Sequence, residues 1–400
     1  MANSILTIDM ITREALRILE NELVLTRTVN RQYDSSFAVS GAKIGTTLRI
    51  RLPDRALVTD GAALTVQDEN QQYTSLTVST QKHIGLAFTS AEQTMNLDDY
   101  SNLIIKPRVS QLAASIDADL ANAFKYVGQS VGTAGTTPAT SAVLLAATQK
   151  LDEAAAPRGS RYACVNPAAN AALVEGLKGL FNPVSVVSKQ FKSGLMGEGI
   201  LGLDEMNMSQ SIAQFTTGSR SAGATVTTTV STQGQTTLAL TTNGATDTIK
   251  LGDVFTVANV YAVNPQTRQS TGSLYQFVAL ADATASGSAV TVTVPAMYTA
   301  SSALATIDAF PQAAAAVTWM GGVSTAYPQN LVYHKDAITF ATADLVLPGG
   351  VDTASRANKD GISIRVVKDY DIVNDRMICR LDVLYGWAVI RPQLACRLWG

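Results

Sequence analysis

From Thr7 to about Leu25 the apolar residues Ile8, Ile11, Ala15, Ile18, Leu19 and Leu23 recur at spacings of three and four. That period predicts a one-sided helix with Thr7 as its N-cap and with Arg13, Glu14, Arg17 and Glu20 on the wet face. Its apolar stripe must be covered, and a neighbouring subunit is the expected cover, with packing inside the chain as the alternative. The period then changes to two. "TLRIRLP" alternates Leu48, Ile50 and Leu52 against Arg49 and Arg51. "SLTVSTQKHIGLAF" returns after a polar stretch that holds Asp60-Gly61, Asp68, Glu69 and Asn70, which predicts a two-stranded ribbon over 46–88. A ribbon of this kind is marginal alone in water, and no obvious stretch of the same chain covers it.

Helical spacing returns after Pro107, which suits the first turn of a helix because its missing N–H is not needed there. Val109, Leu112, Ile116, Leu120, Phe124 and Val127 predict a long helix of about 30 Å at 1.5 Å per residue, ended by a Gly128 cap. A second helix is expected through Leu144, Leu145 and Leu151. "RYACVNPAANAALVEGL" reads as a buried strand followed by a helix opened by Asn166-Pro167, and "FKSGLMGEGILGLDEMNMSQSI" as a glycine-punctuated loop leading into a strand. Two strong strand signals, "GISIRVVKDYD" and "RMICRLDVLYGWAVIRPQLACRLW", close the chain.

Between Thr217 and Asn330 charge almost disappears: seven of those 114 residues are Lys, Arg, Asp or Glu, against 55 of the other 286. Thr-rich runs such as "TVTTTV", "TTLALTT" and "SAVTVTVPA" put Val290, Val292 and Val294 on one face and Thr291 and Thr293 on the other. An all-β segment set into a host of different composition is the reading that follows. Over the whole chain, charged residues are 16%, below the usual figure of about 25%, which is expected when much surface is covered by partners, although an uncharged Thr/Ser surface explains part of it equally well.

A net charge of −2 argues against strong nucleic-acid binding, which needs clustered Lys and Arg. No stretch has the length and apolarity of a signal or spanning segment, so a protein made in the cytosol is expected, with no membrane partner. Cys164, Cys379 and Cys396 are odd in number and far apart, which fits reduced core cysteines.

His83 and His334 have no partner at metal-ligand spacing, so no metal or other cofactor is expected. Asp98-Asp99 reads as helix N-terminal charge, and Asp117 with Asp119 as a solvated face, because residues two apart on a helix do not converge. Gly194, Gly197, Gly199 and Gly202 lack the ending of a phosphate loop and read as a structural turn. With no catalytic signature and so few histidines, the chain is not expected to be an enzyme.

The order of parts resembles the major capsid proteins of tailed bacteriophages, the Hong Kong 97-like fold. The most specific pieces are "RYACVNPAANAALVE", "GLMGEGILGLDEM" and "CRLDVLYGWAVIRPQLACRL", the last carrying Tyr385-Gly386 and then Arg391-Pro392. The β insert, with "IKLGDVFTVANVYAVNP" and "AVTVTVP", is similar to the inserted β-barrel of short-tailed phage coat proteins of the Salmonella-phage type. Ser231 to Thr236 leaves only a small turn where relatives carry a long loop.

The resemblance implies an α+β fold. Its expected divisions are an N-terminal arm helix (1–35), an extended loop (36–95), a spine helix with part of a peripheral domain (96–160), an axial part (161–216), the inserted barrel (217–330) and the remaining axial and peripheral segments (331–400). It implies a noncovalent icosahedral shell of pentamers and hexamers around double-stranded DNA that is touched weakly and nonspecifically. An internal scaffolding protein and a portal are the further partners implied, and the location is the virion capsid, assembled in the host cytoplasm. Expected subunit contacts are Ile8, Ile11, Ile18, Leu48, Arg49, Ile50, Arg51 and Leu52. Residues 56–71, the loop's tip, contain no Lys, which removes the donor of the covalent cross-link found in some shells of this fold. A bacterial nanocompartment shell and a phage adhesin or fibre component are the alternatives, with a hydrolase a further rival.

Overall fold

Strands and helices mix in the computed structural model, which describes residues 8–32, 46–62, 66, 71–89, 106–177, 197–359 and 361–400. Two compact units emerge from the described parts of the chain. One draws on Met1–Arg51, Tyr73–Leu120 and Ile338–Ile390, the other on Leu52–Gln72, Ala121–Ala337 and Arg391–Gly400.

The first unit is organised by one long strand, Arg376–Val389. It pairs antiparallel with Ile362–Asp371, with Thr80–Thr89 and, toward its end, with Ile338–Ala343, while Thr353–Lys359 extends the sheet beyond Ile362–Asp371. Alternation explains the pairing: Cys379, Leu381, Val383 and Tyr385 are buried along the long strand, as are Ile362, Ile364 and Val366 beside it.

The N-terminal helix runs Ile8–Glu22 and packs against the strands Thr353–Lys359 and Ile362–Asp371. Ala15, Leu16, Ile18, Leu19 and Leu23 are buried there, and Glu20 Oε2 meets Lys359 Nζ at 2.5 Å. The described part of its stripe is therefore covered by its own chain, which corrects the expectation of a subunit contact at Ile18. Arg13 and Arg17 are exposed, as the wet face requires. Thr7, the expected cap, and Asp98-Asp99 lie outside the described residues, as do the side chains of Ile8 and Ile11.

The predicted long helix is real but shorter. It runs Lys106–Ala121 with Val109, Leu112, Ile116 and Leu120 buried, and then tightens into a 3-10 segment, Asn122–Tyr126. Phe124 and Val127 stay buried, so the apolar pattern continues while the hydrogen-bond pattern changes. Gly128 is not in the left-handed conformation of a helix cap. It is needed for close approach instead: a β-carbon there would sit 2.6 Å from the Gln276 carbonyl oxygen.

The second unit holds a seven-stranded mixed sheet. Its main path runs Ser130–Val131, Ala395–Trp399, Ala326–His334, Arg161–Val165, Leu203–Met208 and Gly197–Ile200, and Gln214–Thr216 pairs with the start of Ala326–His334. Asn166 opens the helix Pro167–Leu177 as expected, its Oδ1 accepting the Ala169 N–H at 2.9 Å. The helix Ser141–Glu153 packs on Ala395–Trp399. Gly199 and Gly202 take positive φ where Gly197–Ile200 turns back into Leu203–Met208. These two therefore serve a turn, and Gly194 lies outside the described residues.

The chain leaves this sheet through Gln214–Thr216 and re-enters at Ala326, which pairs with Thr216. Between them lies a β module with its own apolar core, in which Val226, Leu238, Leu240, Phe255, Phe277 and Val292 are buried together. Val290, Val292 and Val294 point inward while Thr291 is exposed, as the alternation predicts. Its sheets are Ala289–Met297 with Gln235–Thr241 and Thr225–Val226, Ser270–Val278 with Val254–Val263 and Val317–Trp319, and the short pair Thr248–Ile249 with Ala283–Thr284. Backbone bonds continue between the two larger sheets: Val226 N–H to Ala315 O and Val317 N–H to Ala224 O at 2.9 Å, and Leu280 N–H to Thr293 O at 2.8 Å.

Candidate assembly surfaces

The ribbon is shorter than the expected 46–88: Thr47–Arg51 pairs antiparallel with Tyr73–Thr77, with Arg49 opposite Ser75 and Arg51 opposite Tyr73, whereas Thr80–Thr89 leaves it to pair with Arg376–Val389. Ile50, Leu76 and Val78 are buried by the chain itself. The expectation that nothing in the chain covers the ribbon is corrected for this inner face, and Ile50 makes an internal contact. The outer face is different. Arg49 and Arg51 are exposed there, and the Arg49 guanidinium lies over the Tyr73 ring at 5.1 Å, while Leu48 and Leu52, on the same face as Ile50, are half-buried. Beyond it, Val58 is 91% exposed.

Three elements fix the inner end. Gly386 on the long strand leaves room for the backbone of Thr77 and Val78, which a side chain would displace. The adjacent Tyr385 donates its hydroxyl to Asp119 on the long helix, and Lys82 Nζ reaches the same carboxylate at 2.7 Å and the Ser115 hydroxyl at 2.6 Å. Burial and the Asp119 charge both push the Tyr385 phenol upward, so it remains a donor. The Tyr385-Gly386 pair thus joins sheet, helix and ribbon.

Asp117, read from its spacing as solvated, is buried. One carboxylate oxygen accepts the N–H groups of Val24 at 2.6 Å and Leu25 at 3.2 Å, and the other accepts the Thr26 N–H at 3.1 Å and its hydroxyl at 2.7 Å. It caps the short helix Leu25–Thr28 from more than ninety residues away. Asp382, buried in the long strand, binds Arg365 Nη2 and Arg380 Nε, each at 2.7 Å, and Gln81 at 3.2 Å. Burial pushes its carboxyl up, but these donors outweigh it and hold the pKa below the usual value.

A last polar cluster lies in the second unit. Arg220 Nη1 is 3.0 Å from Asp253 Oδ1, both side chains being buried. Arg397, on Ala395–Trp399, donates to the Gly252 carbonyl at 2.7 Å and covers the Phe124 ring at 5.3 Å. Asp253 Oδ2 also accepts the N–H groups of Lys250 at 2.8 Å and Gly218 at 3.2 Å. The β module is thereby tied to the closing strand through charge. Sequence reading passed over Arg397, although a lone Arg inside "LACRLW" was the available signal.

The remaining candidates carry no assembled chemistry. His83 is exposed on Thr80–Thr89. His334 is buried, its Nδ1 accepts the Asp336 N–H at 3.2 Å, and burial lowers its pKa. All three cysteines are buried and none forms a disulfide, with the thiol pKa pushed up to about 11 at Cys379 and about 12 at Cys396. Among the described residues no cluster of His, Cys, Asp and Glu could hold a metal ion, and no helix is long and apolar enough to cross a membrane.

Comparison with known proteins places the chain among phage capsid proteins: a family model described as "P22 coat protein - gene protein 5" matches residues 1–400. The chain belongs to the P22 coat protein family. It is a coat protein that builds a virion shell, and its role is structural. No curated protein matches it. Among solved structures, one of Mycobacterium phage Che8 is similar at 13% identity and a TM-score of 0.47, over 94% of this chain and 90% of that one. The capsid of Ralstonia phage GP4 is similar at 7% identity and a TM-score of 0.46, over 94% and 87%. The CUS-3 coat protein I-domain aligns with 26% of this chain over 98% of its own, at 25% identity and a TM-score of 0.21.

Proposed function

We propose that this coat protein closes an icosahedral shell of pentamers and hexamers around double-stranded phage DNA, through noncovalent contacts that tolerate unequal surroundings. The observation that carries this reading is the ribbon. Its inner end is pinned by Gly386, Tyr385 and Asp119, while its outer face presents Arg49 and Arg51, with Leu48 and Leu52 half-buried on the opposite face and Val58 bare beyond them. A pinned base with an uncovered outer face suits an arm laid across the adjoining subunit, where its two arginines meet acidic groups. Many such contacts, each of modest strength, sum to a stable shell.

In this reading the fold is Hong Kong 97-like. The arm helix, ribbon and long helix occupy 1–35, 36–95 and 96–160, axial and peripheral parts occupy 161–216 and 331–400, and 217–330 is an inserted barrel. The backbone bonds at Val226, Val317 and Leu280 support the barrel. A scaffolding protein, a portal and weakly held DNA are the further partners, and assembly occurs in the host cytoplasm. Negative-stain imaging of the expressed chain, with and without a scaffold, should show closed shells. Denaturing electrophoresis of particles should give one monomer band, since residues 56–71 lack Lys. Open fibres, or a ladder of cross-linked species, would contradict the reading.

A further inference from the structure

The cluster of Arg220, Asp253 and Arg397 has more positive than negative charge. Arg397 is 0% exposed, Arg220 1% and Asp253 0%, so two guanidiniums share one carboxylate out of contact with water. They reach adjacent residues, Arg220 meeting Asp253 at 3.0 Å and Arg397 donating to Gly252 at 2.7 Å. Nearby charges do not restore the balance. Asp247 is committed to the Ser221 N–H at 2.9 Å and the Gly244 N–H at 3.3 Å, Lys150 pairs with Glu153, and Lys125 adds a second cation over the Phe124 ring at 6.0 Å.

Donors are left over as well. Arg220 Nε, Arg397 Nε and Arg397 Nη2 are buried with no hydrogen-bond partner among the described residues, as is the indole N–H of Trp319, whose ring lies under the Arg220 guanidinium at 5.4 Å. An arginine does not readily shed its proton. Burial lowers the Arg397 pKa to about 9, which still leaves it cationic at neutral pH. Water could satisfy the donors but not the charge, and a buried ion without a counter-charge is strongly disfavoured.

We propose that Arg220 and Arg397 hold a small inorganic anion of halide size beside Asp253, completing the charge balance where the β module meets the closing strand. A monatomic anion suits the site because it accepts N–H donors from any direction and needs little space in an interior this enclosed.

The test compares the thermal midpoint of the full chain in sodium chloride, sodium bromide and sodium gluconate at constant ionic strength, followed by tryptophan fluorescence. The midpoint should rise with the logarithm of halide concentration and stay flat in gluconate. Arg397→Met removes the excess charge and should abolish the halide dependence. Should that variant fail to fold, bromide anomalous diffraction from crystals of the unaltered chain decides, with a peak expected between Arg220 and Arg397. Equal midpoints in chloride and gluconate, a halide dependence that survives Arg397→Met, or the absence of a bromide peak at these arginines would each overturn the proposal.

Discussion

The carbonyl oxygen of Thr77 occupies the space that a β-carbon on Gly386 would need, and the Cα of Val78 lies 2.8 Å from the same point. Backbone crosses backbone there, in the row of a strand whose neighbours Tyr385 and Trp387 carry large rings. Only glycine permits the crossing without displacement.

Gly386→Ala should therefore destabilise the first unit by about 1–3 kcal/mol, the range for forced overpacking. The ribbon, rather than the sheet, should shift. Equilibrium denaturation of the unassembled chain checks the magnitude. An unchanged midpoint would mean that the ribbon's inner end is not held where the structure has it.

Asp117→Ala leaves three backbone N–H groups and the Thr26 hydroxyl without their carboxylate. Losing a helix cap alone costs up to about 2 kcal/mol, and a stranded buried donor costs about 1–3 kcal/mol more. A loss of about 3 kcal/mol is the expected outcome by denaturant titration. Hydrogen exchange should localise the loosening to Val24, Leu25 and Thr26, and exchange rates unchanged there would contradict the capping role.

Asp117 also marks where sequence reading stopped. A spacing of two on a helix excludes convergence with Asp119, and that inference was sound: the two carboxylates serve different partners. Periodicity describes a helix's faces but not what folds back onto them, and Asp117's partners lie more than ninety residues away. The long helix, the β module and the inner part of the ribbon were legible because each has a strict apolar period, visible at Ile116, Val292 and Ile50, but alternation could not tell that Thr80–Thr89 pairs with Arg376–Val389 and not with the ribbon. The cover over Ile18 and Ile50 was not legible, since nothing local reveals what folds onto them. Arg397 was hidden by its surroundings, a charge in a strand buried at every position.

Acid should weaken the first unit through Asp382. Its carboxyl lies below its ordinary value because the bonds from Arg365, Arg380 and Gln81 outweigh burial. A depressed folded pKa contributes stability that is fully present above the unfolded value of about 3.9 and lost as pH falls through the native one. Asp382→Asn should cost about 3 kcal/mol at neutral pH, in the range for breaking a buried pair, and should flatten the acid limb of the stability profile. A profile as steep as that of the unaltered chain would assign the acid sensitivity to another group.

Arg49 and Arg51 are exposed and have no acidic partner within hydrogen-bonding range among the described residues. Replacing both with Glu should cost the unassembled chain no more than about 1 kcal/mol, the size of the exposed cation–π contact that Arg49 makes with Tyr73. Shell formation should slow at least about tenfold, because like charges would then meet across the contact. Light scattering during assembly reads this directly. Assembly at the unaltered rate would remove the ribbon's outer face from the subunit contact.

Removing Ser219 to Pro328 tests whether the β module is independent of the sheet it leaves. Its apolar core is its own, which argues that the rest of the chain can fold without it. Charge argues the other way: the deletion strips Arg397 of Gly252 and of Asp253, leaving a cation buried in the strand Ala395–Trp399. Breaking such a contact costs about 3–5 kcal/mol, enough to offset much of an ordinary domain's stability of about 5–15 kcal/mol. The deletion alone should therefore fold poorly. Combined with Arg397→Leu, which exchanges the stranded charge for an apolar side chain, it should recover a cooperative transition by circular dichroism. If the deletion folds as well with Arg397 as with Leu, the arginine is not what binds module to sheet. If neither folds, the two share more than this junction.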